Sequence, residues 1–448
     1  VVRANNFILL PMSSLARRST GVLGTLSLVI LTVFAILIAG NEGSNQPGQP
    51  ESLYAGMPPP QARYGAAIAT DGDVVLVGSP QVLGRRSFTG AAYVFTSTDA
   101  VWSPNPLEPS TAPSDGDLYG ASVAVDGSIA VVGAPGTDQG QGAAYVFIRS
   151  GDEWIPEAVL KPTAASGYGT SVAVSGETIV VGAPGTGPGA AFVYTRSDDA
   201  AASDEAEPSS DYGWVETRLI SYSGISEGAF GTSVAADGDL IVVGAPNESA
   251  GAGTVTVFAT LGDEWRPLAR FSLPGLGSLG AAIDLDLPYL VAGAPTSAVD
   301  HGEATLPSAG RVLVWTRTED GAWTDPTEPF SAHWEPSSNA RLGRSVAAAN
   351  GTVAAAMDAS FPWGDLTGVF VIVANMDRPG DAVPLVYGQI PNPHYSQGTC
   401  VDIAGNLLVV GAPKDDGAQW MNIQTLGSRY PASGSAWVFH IDTRDGTP

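Results

Sequence analysis

Residues 240–246 read LIVVGAP, and close relatives recur: VLVGSP at 75–80, VVGAP at 131–135 and 180–184, VAGAP at 291–295, VVGAP at 409–413. Aligned backwards from that phrase, each copy holds an earlier glycine, usually behind an aromatic residue. Four copies are close: RYGAAIATDGDVVLVGSP (63–80), LYGASVAVDGSIAVVGAP (118–135), GYGTSVAVSGETIVVGAP (167–184) and AFGTSVAADGDLIVVGAP (229–246). Three are looser: SLGAAIDLDLPYLVAGAP (278–295), RLGRSVAAANGTVAAAMD (341–358) and SQGTCVDIAGNLLVVGAP (396–413). Gly65, Gly120, Gly169, Gly231, Gly280, Gly343 and Gly398 each stand thirteen residues before Gly78, Gly133, Gly182, Gly244, Gly293, Ala356 and Gly411. The distance between repeats varies from 49 to 63, yet this inner spacing never moves. Length variation therefore falls in loops, while one hairpin is held in register.

The hairpin can be read from its residues. Stretches such as SVAV and IAVVG are β-branched and apolar, with Asp-Gly or Asn-Gly between them in four copies. Asp-Gly supplies the positive φ angles of a type I′ turn, so that turn is expected here. The second strand is apolar without alternation, as when both faces of a sheet are covered. Each repeat offers a third strand, from AAYVFTS (91–97) to SAWVFHI (435–441), and several a fourth behind a Trp, as in EWIPEAVLKP (153–162). The repeated Trp102, Trp154, Trp214, Trp265 and Trp323 are expected to pack blades together. A four-stranded sheet with two apolar faces is satisfied by radial packing. The reading is all-β: a seven-bladed propeller of four-stranded blades over 51–448, with repeats starting near 63, 118, 167, 229, 278, 341 and 396. Repeat seven stops after its third strand, while ESLYAGMPPPQARY (51–64) resembles EAVLKPTAASGY (157–168). Residues 52–56 are therefore expected to supply the outer strand of blade seven, closing the ring with both chain ends.

On Tyr119-Gly120, Phe230-Gly231 and the Gly-Ala-Pro triplets, the chain resembles the FG-GAP repeats of the integrin α-subunit β-propeller and its prokaryotic relatives. The resemblance covers about 51–448 and implies a seven-bladed ring. Blade six departs most, with AAAMD in place of VVGAP. Repeats of this kind often bind Ca²⁺ through a D-x-D-x-D-G loop in the first hairpin, and here only a two-residue turn remains. Asp71, Asp73, Asp126, Asp237 and Asp239 are accordingly read as turn residues. Calcium wants six to eight oxygens, so only the longer loops at 133–142 and 411–420 stay open to it; otherwise no cofactor or metal is expected.

The balance of 20 basic and 45 acidic residues gives a net charge of −25, with Lys161 and Lys414 the only lysines. That excludes nucleic acid and anionic lipid headgroups as partners. It suits a haloarchaeal protein in high salt and equally a high-GC coding bias. A single cysteine, Cys400, excludes an intramolecular disulfide. The uncharged run at 20–41 follows Arg17 and Arg18 and is long enough, at ~1.5 Å per residue, to cross a bilayer. It is read as a membrane anchor with 1–19 cytoplasmic, 42–50 a linker and the propeller outside. A cleaved signal, giving a secreted protein, and a pilin-like assembly helix are the alternatives. Of the two sequons, Asn247 lies in a loop and is the glycosylation candidate, while Asn350 occupies a tight turn.

His301, His333, His394 and His440 show no ligand spacing, and no nucleophile elbow, P-loop or paired-Cys pattern occurs. The chain is thus read as a binding or adhesion module for an extracellular protein or glycan, not an enzyme. The alternatives are an extracellular hydrolase acting on a polysaccharide or phosphoester, and a subunit that polymerises through its first helix. The varied second-to-third loops are longest in blades five (296–310) and seven (414–434) and flank 358–368 of blade six. Asp300, His301, Trp363, Asp415, Asp416, Trp420, Arg429 and Tyr430 are the expected ligand contacts there. An acidic insert at 197–211 on the opposite face reads as a solvated charge run.

Overall fold

A computed structural model describes residues 51–53, 62–98 (except 82, 85 and 86), 101–162, 165–196 (except 186), 213–221, 227–330 (except 263 and 303), 338–360, 367–390 (except 377), 400–413 and 435–441. The apolar run at 20–41 lies outside them, and among the described residues no helix is long and apolar enough to cross a membrane.

Blade two shows the unit. Ser122–Asp126, Ile129–Ala134, Ala143–Ser150 and Glu153–Leu160 pair antiparallel in chain order. Seven sheets follow one another, six of them four-stranded, and each inner strand packs against the inner strands of the blades before and after it, closing a ring. The core is correspondingly divided into seven buried clusters, each shared by two neighbouring blades. The wholly apolar second strands fill these wedges from both sides, as Ile129–Ala134 does with every residue buried.

The fixed spacing of thirteen has a direct cause. In blades one to six the first glycine donates to the carbonyl of the residue thirteen further on, as Gly120 N to Gly133 O at 3.0 Å. Between blades the second glycine lies flat against the first glycine of the next repeat. A Cβ on Gly78, Gly133, Gly182, Gly244, Gly293 or Gly411 would come under 3.0 Å from the carbonyl oxygen of Gly120, Gly169, Gly231, Gly280, Gly343 or Gly65. Backbone contact of this kind excludes any side chain. A hydroxyl two residues after the first glycine often ties the same carbonyl: Ser122 to Gly169 (2.8 Å), Ser171 to Gly231 (3.0 Å), Ser233 to Gly280 (2.7 Å). At the last junction Cys400 takes this place, its thiol donating to Gly65 O at 3.2 Å. The repeated phrase is the joint between blades.

The aromatic before glycine packs on the third strand of its own blade, as Tyr119 edge-on to Tyr145 at 5.2 Å and Phe230 to Phe258 at 6.1 Å. Tyr119 also donates to Leu107 O, just past the outer strand of blade one (2.9 Å). Tyr64 makes the same bond to Leu53 O (3.3 Å), because Glu51–Leu53 is the outer strand of blade seven, paired with Ser435–His440. Closure by both chain ends thus stands, with residues 54–56 outside the described set. Trp102, Trp154, Trp265 and Trp323 pack against the inter-blade clusters, and Arg196 lies 4.8 Å over the ring of buried Trp214.

Two expectations need correction. The first concerns the hairpin turn. Asp71 pairs with Val74, so the loop is Gly72-Asp73, not Asp71-Gly72, and only Gly72 has positive φ (66°). Glycine at the first central position is the type II′ pattern, and blades two, three, four and seven follow it with Gly127, Gly176, Gly238 and Gly405. Only blade six has both central residues positive, Asn350 (49°) and Gly351 (73°), as type I′ requires. The aspartate before the glycine belongs instead to the next joint: Asp71 accepts from Gly127 N (2.6 Å), Asp126 from Gly176 N (2.6 Å) and Asp237 from Leu287 N (2.8 Å). The second correction concerns blade five, whose regular sheet has three strands. Its outer segment is reduced to isolated bridges, Val314 with Thr327 and Arg317 with Trp323. Pro326 lies between them and has no N–H to continue the ladder.

Candidate binding face

In an antiparallel blade the second-to-third loops emerge on the same side as the connections between blades. Blades one and five extend that loop into small extra hairpins, Leu83–Gly84 with Ser87–Phe88 and Val299–His301 with Ala304–Leu306. Asp300 and His301 are adjacent on the blade-five hairpin, both exposed, and Asp300 accepts from Thr305 Oγ1 at 2.7 Å. The hairpin therefore holds these two side chains out from the disc. Trp363, Asp415, Asp416, Trp420, Arg429 and Tyr430 lie outside the described residues, as does the insert at 197–211.

Blade four anchors the same face with a buried carboxylate that sequence reading passed over. Glu248, inside the Asn247 sequon, is 0 % exposed. It accepts from Thr254 Oγ1 (2.7 Å), from the Ser221 hydroxyl and from Arg270 Nη2 (2.8 Å). Three different segments, the preceding crossover, the third strand and the outer strand, thus converge on one loop residue. Asn247 itself is exposed beside it. In the blade-two loop at 133–142 the one carboxylate, Asp138, pairs with Lys161 Nζ at 2.7 Å. Among the described residues no group of three or more His, Cys, Asp or Glu is placed to hold a metal; the loop at 411–420 is described only to 413.

Two further carboxyls sit at the inner edge of the ring. Four residues after the first glycine, five repeats have alanine, but blades five and seven have Asp284 and Asp402. Each reaches across a joint. Asp284 accepts from Ala348 N of blade six (2.7 Å) and Leu285 N (2.9 Å). Asp402 accepts from Thr70 N of blade one (2.6 Å) and Ile403 N (3.0 Å). Both keep some accessible surface, yet their surroundings are poor in water. Burial pushes Asp284 up to about 6, against the pull of its amide partners and helped by Asp286 and Asp237. Burial pushes Asp402 up to about 8, with the charges of Asp284 and Asp71 adding to the rise. Burial likewise raises the Cys400 thiol to about 12, so it stays an un-ionised donor to Gly65. The departure from alanine at one repeat position was the available signal for the two aspartates.

What the fold defines is a closed seven-bladed propeller, with paired glycine backbones at six of its joints. Residues 112–147, 163–194 and 214–258 match the family model for the FG-GAP repeat. Those three segments carry FG-GAP repeats, and the ring in which they sit is like the propeller that the repeat resemblance implies. No curated protein matches it.

Proposed function

We propose that this propeller is a binding module that presents the second-to-third loop face, over blades five to seven, to an extracellular protein or glycan. The observation that carries the reading is the division of labour in the repeat. Glycine joints and apolar strands are identical in role around the ring, while the blade-five loop adds an exposed hairpin carrying Asp300 and His301. A rigid scaffold with varied loops on one face is the usual basis of recognition. The run at 20–41 would hold the propeller outside the cell, or release it if cleaved. A hydrolase would draw on raised-pKa carboxyls such as Asp284 and Asp402; their engagement by two backbone amides each supports a role in the joint instead.

The test is a truncation of 416–430 to a short Gly-Ser turn, followed by binding to cell-surface protein and glycan fractions. Binding should disappear while the melting curve is kept. Survival of binding there, with loss on removing 197–211, would put the ligand on the opposite face. Turnover of polysaccharide or phosphoester substrates would favour the hydrolase. Protease added to intact cells should remove the propeller, and full protection would refute the outward orientation.

A further inference from the structure

The outer strand of every propeller blade is an open sheet edge, and exposed edges invite pairing unless something blunts them. Most outer edges of this ring are blunted. Val101–Pro106 contains Pro104 and Pro106. Glu153–Leu160 and Glu264–Phe271 carry Pro156 and Pro267, each at an irregularity of the ladder. Arg378–Ile390 has two irregularities and Pro384 within its ladder. Blade five offers only bridges around Pro326, and the blade-seven edge Glu51–Leu53 is three residues long. Blade three differs. Its outer strand Trp214–Leu219 pairs without interruption from Arg196–Trp214 to Ala191–Leu219 and contains no proline. Val215 is 50 % exposed there and Ile220, just beyond, 49 %. Glu216 and Arg218 are also exposed, on either side of Thr217.

We propose that Trp214–Leu219 is a pairing edge for a second copy of this chain, the two strands running antiparallel about a two-fold axis through Thr217. The charge order on the strand argues for that occupant. In this register Glu216, which accepts from Tyr194 Oη (2.7 Å), lies opposite Arg218 of the second copy, and Arg218, 5.8 Å over the Phe192 ring, lies opposite its Glu216, so a two-fold pairing sets unlike charges face to face twice. Val215 lies opposite Leu219 in the same arrangement. Opposite charges directly across strands favour pairing and like charges oppose it. The net charge of −25 repels two copies at long range, and physiological salt screens that repulsion beyond about 8 Å. Local complementarity then decides which edges meet.

The test is sedimentation velocity of the full chain over a concentration series at physiological salt. A mild detergent is present in every arm to hold the 20–41 run. The wild type should show a concentration-dependent dimer. Arg218→Glu places like charges opposite each other twice and should weaken dimerisation by about tenfold or more. The charge-swapped double variant Glu216→Arg/Arg218→Glu restores the pattern and should recover dimerisation to within a few-fold of wild type. Circular dichroism melting of each variant confirms that the propeller remains folded. A wild type monomeric at every concentration, as when the edge serves a foreign extended peptide, would overturn the proposal. So would a dimer indifferent to Arg218→Glu, or a double variant as weak as the single one.

Discussion

Raising the pH from 5 to 8.5 should weaken the ring, and Asp402→Asn should remove much of that weakening. An aspartate in the unfolded chain titrates near 3.8, but burial holds Asp402 at about 8 and Asp284 at about 6. Both folded values are raised, so the folded state keeps its proton where the unfolded state has lost it. The associated stability is fully present below about pH 4, falls as pH rises, and is gone above about 8. One proton of difference is worth about 1.4 kcal/mol per pH unit. From pH 5 to 8 that is three units for Asp402, a ceiling of about 4 kcal/mol, and since it shares its field with Asp284 a combined loss of about 3 kcal/mol is expected. With about 2.1 cal/mol/K per residue over some 400 residues, that corresponds to a fall of about 4 °C in Tm. The Asn variant loses one of the two amide bonds, about 1 kcal/mol, so it should be slightly less stable than wild type at pH 5. At pH 8.5 the order should reverse, because the variant has no charge to desolvate. Urea midpoints from pH 5 to 8.5 for both proteins measure this. The general repulsion of an acidic chain affects both alike, so parallel curves would refute the carboxyl clasp as the cause.

Two comparisons separate other causes. Gly133→Ala puts a methyl into the Gly169 carbonyl and should cost more than about 2 kcal/mol in urea unfolding. Gly151→Ala, with φ +65° and nothing near its Cβ, should cost only the left-handed strain of about 1 kcal/mol; equal costs would count against steric docking of the blades. Glu248→Ala leaves the buried Thr254 hydroxyl without its acceptor and frees the half-exposed Arg270, and should cost about 2 kcal/mol, read by the same assay, with a change under 0.5 contradicting the anchor.

Much of this architecture was legible in the residues, because a joint made of backbone excludes a side chain at six of the seven repeats, with Ala356 of blade six the exception. The spacing of Gly120 and Gly133 reports one hydrogen bond, and their identity reports contact with Gly169 and Gly78. Closure was legible from the likeness of 51–64 to 157–168, since in both an outer strand runs on to a buried tyrosine, Tyr64 or Tyr168, that opens the next blade. The turn was misread by one residue. Asp-Gly spells a type I′ centre when seen alone, but here the aspartate serves the neighbouring blade, and a contact 50 or more residues away has no local signature. The carboxyls of Asp284 and Asp402 were hidden among many aspartates until the inner strands were laid side by side. Loop residues such as Asp300 and His301 could be placed on a face by topology alone, whereas the way a loop folds over that face depends on contacts no repeat encodes.

The ring closes where Glu51–Leu53 pairs with Ser435–His440 in blade seven, and deleting residues 51–58 tests that closure. The deletion removes the strand Glu51–Leu53 and the buried Leu53 from the cluster joining blades seven and one. The melting temperature should fall by several degrees or more, with blade seven losing protection against amide exchange first. An unchanged melting curve, with Ser435–His440 still protected, would mean that the ring closes elsewhere.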